Sequence, residues 1–266
     1  DFSKPSVIVA NHQSHLDLIC LMALNPKLIF FTNEWVWKNP IYGYVIRKAD
    51  YIPVNDGVEA HLDKIRALVE RGYSLVIFPE GTRTVDGSIG RFHKGAFYLA
   101  AELGLDITPV YIHGAYDVLP KTDFMLREGS VNVEVGPRIP CSKDYRSMTK
   151  ECHRLFVNHY AELRRTLETP EYLSVYVRYK YLYKGADVES RCRKALARVN
   201  DMAFLREVPS GNHFEIHGCG QGEYALIFAL MHPEVEVDAY DRDEDNVMLA
   251  SNISCLPANL HFHSES

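Results

Sequence analysis

The chain lacks most of what would tie it to a membrane-spanning, secreted or nucleic-acid-binding class. No run of apolar residues reaches the roughly 20 needed to cross a bilayer, and no segment has the order of a secretory signal. Basic residues are not in excess: 29 Lys and Arg stand against 35 Asp and Glu, a net charge of -6. That removes nucleic acid from the expected partners, though a local basic face could still meet an anionic membrane. The six cysteines (Cys20, Cys141, Cys152, Cys192, Cys219, Cys255) form no Cys-x-x-Cys. They read as reduced thiols of a protein on the cytosolic side. The twelve histidines form no spaced cluster with carboxylates or cysteines, so no metal site is implied. There is no initiator Met, and Asp1 stands almost on top of a core strand, which reads as a piece cut from something longer.

What is present is a globular composition, 47% hydrophobic and 24% charged, over 266 residues. That suffices for one large domain or two modest ones. Alternating segments dominate the first part. Strands are expected at 7–10, 28–31, 51–54, 73–78, 107–112 and 131–135, with helices at 16–24, 58–70, 95–103 and 148–167. Strands separated by helices mean an α/β domain with a largely parallel sheet flanked by helices. Thr169-Pro170 breaks the pattern, so domains are expected at 1–168 and 211–266, joined by a solvated helical linker at 169–210.

The first domain is organised around Asn11-His12-Gln13-Ser14-His15-Leu16-Asp17. A hydrophobic run leads into it and an apolar-periodic segment follows, which reads as strand, sharp turn, helix. His12 falls at the turn and Asp17 about a helical turn further on. A histidine that a carboxylate can orient is the minimum kit for general-base work. The blander reading of such a pair is a cap and a surface residue. Downstream lies a second motif, Phe78-Pro79-Glu80-Gly81-Thr82-Arg83.

His-x4-Asp followed by Phe-Pro-Glu-Gly-Thr-Arg resembles the glycerophospholipid acyltransferase family, which includes the lysophosphatidic acid acyltransferases. Both motifs are complete and in the family's order. The resemblance implies a glycerolphosphate acyltransferase-like α/β fold. It implies transfer of a fatty acyl group from acyl-CoA or acyl-ACP to the hydroxyl of a lysophospholipid-type acceptor. His12 would be the general base and Asp17 its orienter. Because a thioester supplies the leaving group, no covalent enzyme intermediate and no cofactor are required. Ser14 would be the nucleophile of a rival mechanism, but the resemblance implies direct attack, leaving Ser14 as a turn or capping residue. His15 reads as a structural histidine.

Glu80, Gly81, Thr82 and Arg83 are the expected substrate-binding residues, after a buried strand at the carboxyl end where α/β sheets place ligands. Arg83 offers a planar fork for a phosphate, and Gly81 allows close backbone approach. Glu80 is expected to orient Arg83 or the loop, or to bind an acceptor hydroxyl; a mere Glu80–Arg83 ion pair is the bland alternative. Lys94, with Arg91, resembles the family's basic stretch entering its helix. These two cations either add positive charge near a phosphate or the coenzyme A tail, or are ordinary surface cations. Thr108-Pro109-Val110 resembles the fourth block. The second block departs: Tyr51-Ile52-Pro53-Val54 is followed by Asn55-Asp56, with Arg47 and Lys48 before it. That leaves acceptor phosphate recognition open and permits an amino-lipid or aryl-polyene-type acceptor instead. The aromatic stretch from Trp35 to Tyr44 suits either peripheral membrane contact or a core-packed loop, with membrane contact favoured.

A second signature follows: a strand at 214–217, the turn Gly218-Cys219-Gly220-Gln221-Gly222, a helix at 224–231, and a strand at 235–240 that ends at Asp241. Glycines let backbone amides approach a ligand, and a carboxylate after the next strand can accept ribose hydroxyls. Residues 211–266 resemble the start of a class I S-adenosylmethionine-dependent methyltransferase, a truncated Rossmann-like unit. Gly218, Gly220, Gly222 and Asp241 would be its cofactor-binding residues, with dinucleotide binding as the competing reading. The pairing resembles part of bacterial proteins that join a transporter-like domain, a lysophospholipid acyltransferase and a methyltransferase. That implies the cytoplasmic face of a bacterial inner membrane, with tethering by a domain absent from this stretch. An inactive scaffold beside the methyltransferase is the rival.

Overall fold

The computed structural model describes residues 2–32, 52–53, 61–121, 125–207 and 210–265. The chain divides into two compact units, Asp1–Ala161 and Glu162–Ser266. The aromatic stretch from Trp35 to Tyr44, and Arg47, Lys48, Asn55 and Asp56, lie outside the described residues.

The first unit is built on strands β1 (Val7–Ala10), β2 (Leu28–Thr32), β3 (Ile52–Pro53), β4 (Ser74–Ile77), β5 (Ile107–His113) and β6 (Asn132–Val135). They form one sheet in the order β3-β2-β4-β1-β5-β6. Every pairing is parallel except the antiparallel edge pair β5–β6. Crossovers run through helices α1 (Leu16–Leu24), α2 (Leu62–Glu70) and α3 (Gly95–Leu103), and a short α4 (Ala115–Val118) follows β5. This is the expected α/β fold. Val7, Ile8, Val9 and Ala10 are all buried, the unbroken apolar run of a strand covered on both faces. One face packs Ile8, Ala10, Leu21, Phe30, Val76 and Ile112 together. Elsewhere an aromatic cluster joins Phe92, Tyr111 and Phe156, with centroids 5.1 Å apart for Phe92–Phe156 and 4.6 Å for Tyr111–Phe156. Helix α3 stops where expected, at Gly104, which takes a left-handed φ of 63° that favours glycine.

The long helix α5 (Tyr145–Leu167) begins in the first unit. Met148, Cys152, Phe156 and Tyr160 form its buried stripe at four-residue spacing. The units divide within this helix, ahead of the expected break at Thr169-Pro170. Thr169 instead caps the next helix, α6 (Pro170–Lys180), by accepting a hydrogen bond from Tyr172 N.

The 169–210 stretch is helical as expected, but it is packed into a core and not solvated. Helices α6 and α7 (Ala186–Leu196) supply Leu173, Val177, Tyr181, Cys192 and Leu196 to the core of the second unit. The basic residues of α7 mask its buried side: Cys192 and Leu196 lie one turn apart and are buried, while Arg191, Arg193 and Lys194 alternate around them. The rest of this unit is β7 (His213–His217), α8 (Glu223–Met231), β8 (Glu236–Asp241), α9 (Glu244–Ser251) and β9 (Leu260–Ser264). The three strands form a parallel sheet in the order β7-β8-β9. Strand β9 escapes sequence reading because His261 and His263 flank Phe262 and leave little apolar signal.

Candidate active site

Strands β1 and β4 are parallel neighbours, with Val9 opposite Ile77. Their carboxyl ends therefore lie side by side, which brings the His12 turn against the loop that begins at Phe78. Asn11 anchors the turn: its amide donates to Ile112 O and its carbonyl accepts from Ile112 N, both at 2.8 Å. Gln13 is fastened on both sides, donating to the Tyr160 hydroxyl and accepting from Tyr116 N at 3.3 Å.

His12 Nδ1 lies 2.7 Å from Asp17 Oδ2. The same oxygen accepts from Gln13 N at 2.7 Å and Ser14 N at 2.9 Å. Asp17 is fully buried in the first turn of α1. An oxygen that accepts two backbone amides makes Nδ1 the hydrogen-bearing nitrogen of His12 and leaves the lone pair on Nε2. The imidazole stacks on Phe78 at 4.0 Å between centroids and is 20% exposed. Ser14 is buried, donates its hydroxyl to Leu119 O at 2.8 Å and accepts from Leu16 N at 3.2 Å. It is a turn residue here, with its oxygen committed.

Glu80 ties this turn to the next loop. Its Oε1 accepts from His12 N at 2.8 Å and its Oε2 from Gly90 N at 2.7 Å. Of the roles expected for Glu80, the hydrogen bonds realise loop orientation. Burial raises the Glu80 carboxyl above its ordinary range, while the two backbone donors and His12 pull the other way. Thr84 N donates to His12 O at 2.8 Å, so the peptide groups on both sides of the His12 ring are held by the 80–84 loop. Gly81 turns the loop with a φ of 70° and donates to Phe78 O at 3.1 Å.

Arg83 is half-exposed. Its charge, after burial, is the next cause that lowers the His15 pKa, ahead of His12. Arg83 and His15 are thus near enough for their charges to interact. Lys121 holds the loop from outside, donating to Thr82 Oγ1 at 2.8 Å and Arg83 O at 3.3 Å. Lys94 occupies the residue before α3 and is exposed. His12, Asp17 and Glu80 thus come together with Gly81, Thr82 and Arg83, while Lys94 stands on a neighbouring cleft. Sequence reasoning assigns no role to Gly90, Phe78 or Lys121. Phe78 opens the Phe-Pro-Glu-Gly-Thr-Arg motif, and its flat ring is the available signal; Gly90 and Lys121 carry none.

In the second unit Gly218, Gly220 and Gly222 all have positive φ, at 70°, 59° and 89°. Asp241 Oδ2 accepts from Gly220 N at 2.7 Å, and Oδ1 from Asp243 N at 2.9 Å and Asn246 Nδ2 at 3.3 Å. Burial opposes ionisation of Asp241, but these donors outweigh it and hold the carboxyl below its ordinary range.

The chain is 33% identical over 145 residues to the 1-acyl-sn-glycerol-3-phosphate acyltransferase LPAT1, chloroplastic, of Arabidopsis thaliana, which covers 52% of this chain and 40% of that protein. It is 28% identical over 175 residues to the human 1-acyl-sn-glycerol-3-phosphate acyltransferase beta, covering 62% and 63%. Against the first of these relatives the chain spans less than half of their length. The crystal structure of the 1-acyl-sn-glycerophosphate (LPA) acyltransferase PlsC from Thermotoga maritima superposes with a TM-score of 0.55. It covers 61% of this chain and 67% of that one at 23% identity, a likeness of fold. The N-terminal part of the chain is thus matched, over residues 2–113, by the family described as Acyltransferase.

Proposed function

We propose that the first unit is an O-acyltransferase that moves a fatty acyl group from an acyl thioester to the hydroxyl of a lysophospholipid-type acceptor, with 1-acylglycerol-3-phosphate as the reference acceptor. The observation that carries this reading is the buried Asp17 carboxylate 2.7 Å from His12 Nδ1, at the carboxyl end of a central strand. Nε2 of His12 takes the proton of the acceptor hydroxyl as its oxygen attacks the thioester carbonyl. The tetrahedral intermediate collapses, the carbon–sulfur bond breaks, and the imidazolium returns its proton to the departing thiolate. The chain's own nucleophile is not needed, consistent with the committed hydroxyl of Ser14. Arg83 is assigned to the acceptor phosphate. The donor is acyl-CoA, with acyl-ACP as the alternative. Among the described residues no helix is long and apolar enough to cross a membrane. Peripheral contact at the cytoplasmic face is the proposed way of reaching a lipid acceptor. His12→Ala is expected to lower turnover by about two to four orders of magnitude with the fold intact by circular dichroism. Thiol release near the wild-type rate would remove His12 from the reaction.

For the second unit we propose half of an S-adenosylmethionine site at the glycine turn and Asp241. The parallel βαβαβ order and the 2.7 Å bond from Gly220 N to Asp241 favour it. Calorimetric titration with S-adenosylmethionine is the measurement. With half of the pocket assigned to this unit, binding to the 266-residue chain is expected to be weak or undetectable, and tight, saturable binding would contradict the half-site reading. In a chain extended past residue 266, binding lost in Asp241→Ala supports the assignment, and binding that survives the substitution sinks it.

A further inference from the structure

A cleft of about 820 Å³ opens beside the loop that Glu80 holds. Arg91, Phe92, His93 and Lys94 form one wall, and Arg146, Thr149, Lys150 and His153 form the other. The second wall is a helical stripe: positions 146, 149, 150 and 153 recur at the spacing of one face of α5. The helix thus turns its 148–152–156 stripe to the core and this cationic stripe to the cleft. Four fixed positive charges line the cavity and no carboxylate does. Among the described residues none of the four forms an ion pair, in a chain whose net charge is -6. Of the acids nearest in sequence, Asp144 accepts from Ser147 N and feels the Arg146 charge, and Glu151, next to Lys150, is exposed; neither lines the cleft.

The walls are fastened to the reaction centre. His153 Nε2 lies 3.1 Å from Gly90 O, Gly90 N donates to Glu80, and Glu80 holds His12 N. His93 N donates to Pro79 O at 2.7 Å, and the His93 ring lies against the Gly81 turn. A cleft of this volume falls in the range of small-molecule sites, about 300–1,000 Å³.

We propose that this cleft takes the phosphorylated nucleotide end of the coenzyme A thioester. The inference rests on the acyltransferase reading and adds the donor's place to it. The chemistry of the two substrates separates them. A lysophospholipid carries its phosphate a few bonds from the hydroxyl that His12 must reach, so its phosphate belongs near the base, by the 80–84 loop that carries Arg83 and is bonded to the His12 backbone. Coenzyme A carries a diphosphate and a 3′-phosphate at the far end of a long pantetheine arm. Its charge therefore has to sit away from the reacting carbonyl, in a place that gathers several cations without carboxylates. Unpaired Arg and Lys suit that multiply charged anion.

The test uses the full chain with Arg146→Glu, Lys150→Glu and the milder Arg146→Gln/Lys150→Gln pair, with Arg165→Glu as a charge control outside the cleft. The substrates are acyl-CoA and the corresponding acyl-pantetheine, which lacks the nucleotide. The preference for acyl-CoA, read as the ratio of the two kcat/KM values, is expected to fall about tenfold or more in the cleft variants, with the change in KM. Calorimetry with adenosine 3′,5′-bisphosphate should show saturable binding to the wild type that the same variants weaken. An unchanged ratio together with unchanged bisphosphate binding overturns the proposal. So does a rise confined to the KM of the lysophospholipid, which would make the cleft an acceptor or lipid-headgroup site. The binding arm needs no turnover, so it decides the cleft even if the chain transfers no acyl group at all.

Discussion

Glu80 shows how much one side chain can organise. It is buried, and both its oxygens are taken by backbone amides, one on the residue proposed as base and one in a loop ten positions downstream. Glu80→Gln keeps the size but turns an amide N–H₂ toward one of those two donors. The expected result is a fall in kcat of about tenfold to a hundredfold, the loss of one charge-assisted hydrogen bond, read from steady-state kinetics. The same carboxyl gives a pH signature. Its pKa is raised in the fold, chiefly by burial, so the folded chain keeps the proton at a pH where the unfolded chain has lost it. Stability contributed by Glu80 therefore declines as pH climbs from the ordinary glutamate value through the raised one. Thermal unfolding across that window should show a downward slope in the wild type that Glu80→Gln lacks. Parallel slopes in the two proteins would contradict it.

At the scale of elements, Gly90 is the position that lets its loop meet the His12 turn. A Cβ at residue 90 would stand 2.8 Å from Glu80 Oε2, too close for the carboxylate to stay. Gly90→Ala is expected to cut turnover by at least tenfold while shifting the unfolding midpoint little, because the loop is half-exposed and the core is untouched. Wild-type turnover in that variant would separate the loop from the site. Nothing in the sequence marks this contact. His12 and Asp17 are five residues apart, and the 78–83 motif is contiguous, so both were legible as local patterns. The bond from His12 N to Glu80 spans 68 residues and exists because β1 and β4 are sheet neighbours. Pairing of that kind is set by topology, which no short window of residues encodes. The helices at 170–196 mislead in the other direction: their charge hides two buried turns, so composition reads as a solvated linker where packing makes a core.

At the scale of the whole molecule, each of the two units carries its own sheet, and the candidate acyl-transfer residues all lie in the first. The strand order puts β1 between β4 and β5, with every residue of that strand buried. Amides so placed exchange with solvent only when the unit opens as a whole. Val7 through Ala10 are accordingly expected to be among the slowest-exchanging amides of the chain, and those of edge strand β6 among the faster sheet amides. Mass spectrometry of deuterium uptake reads this directly, and fast exchange at β1 would refute it. The residue that ends this strand's lead into the site thus hangs from the last part of the unit to melt. Warming or mild denaturant should fray the sheet's rim well before it disturbs the spacing of His12 and Asp17, so inactivation should coincide with global unfolding of the unit and show no earlier, separate phase.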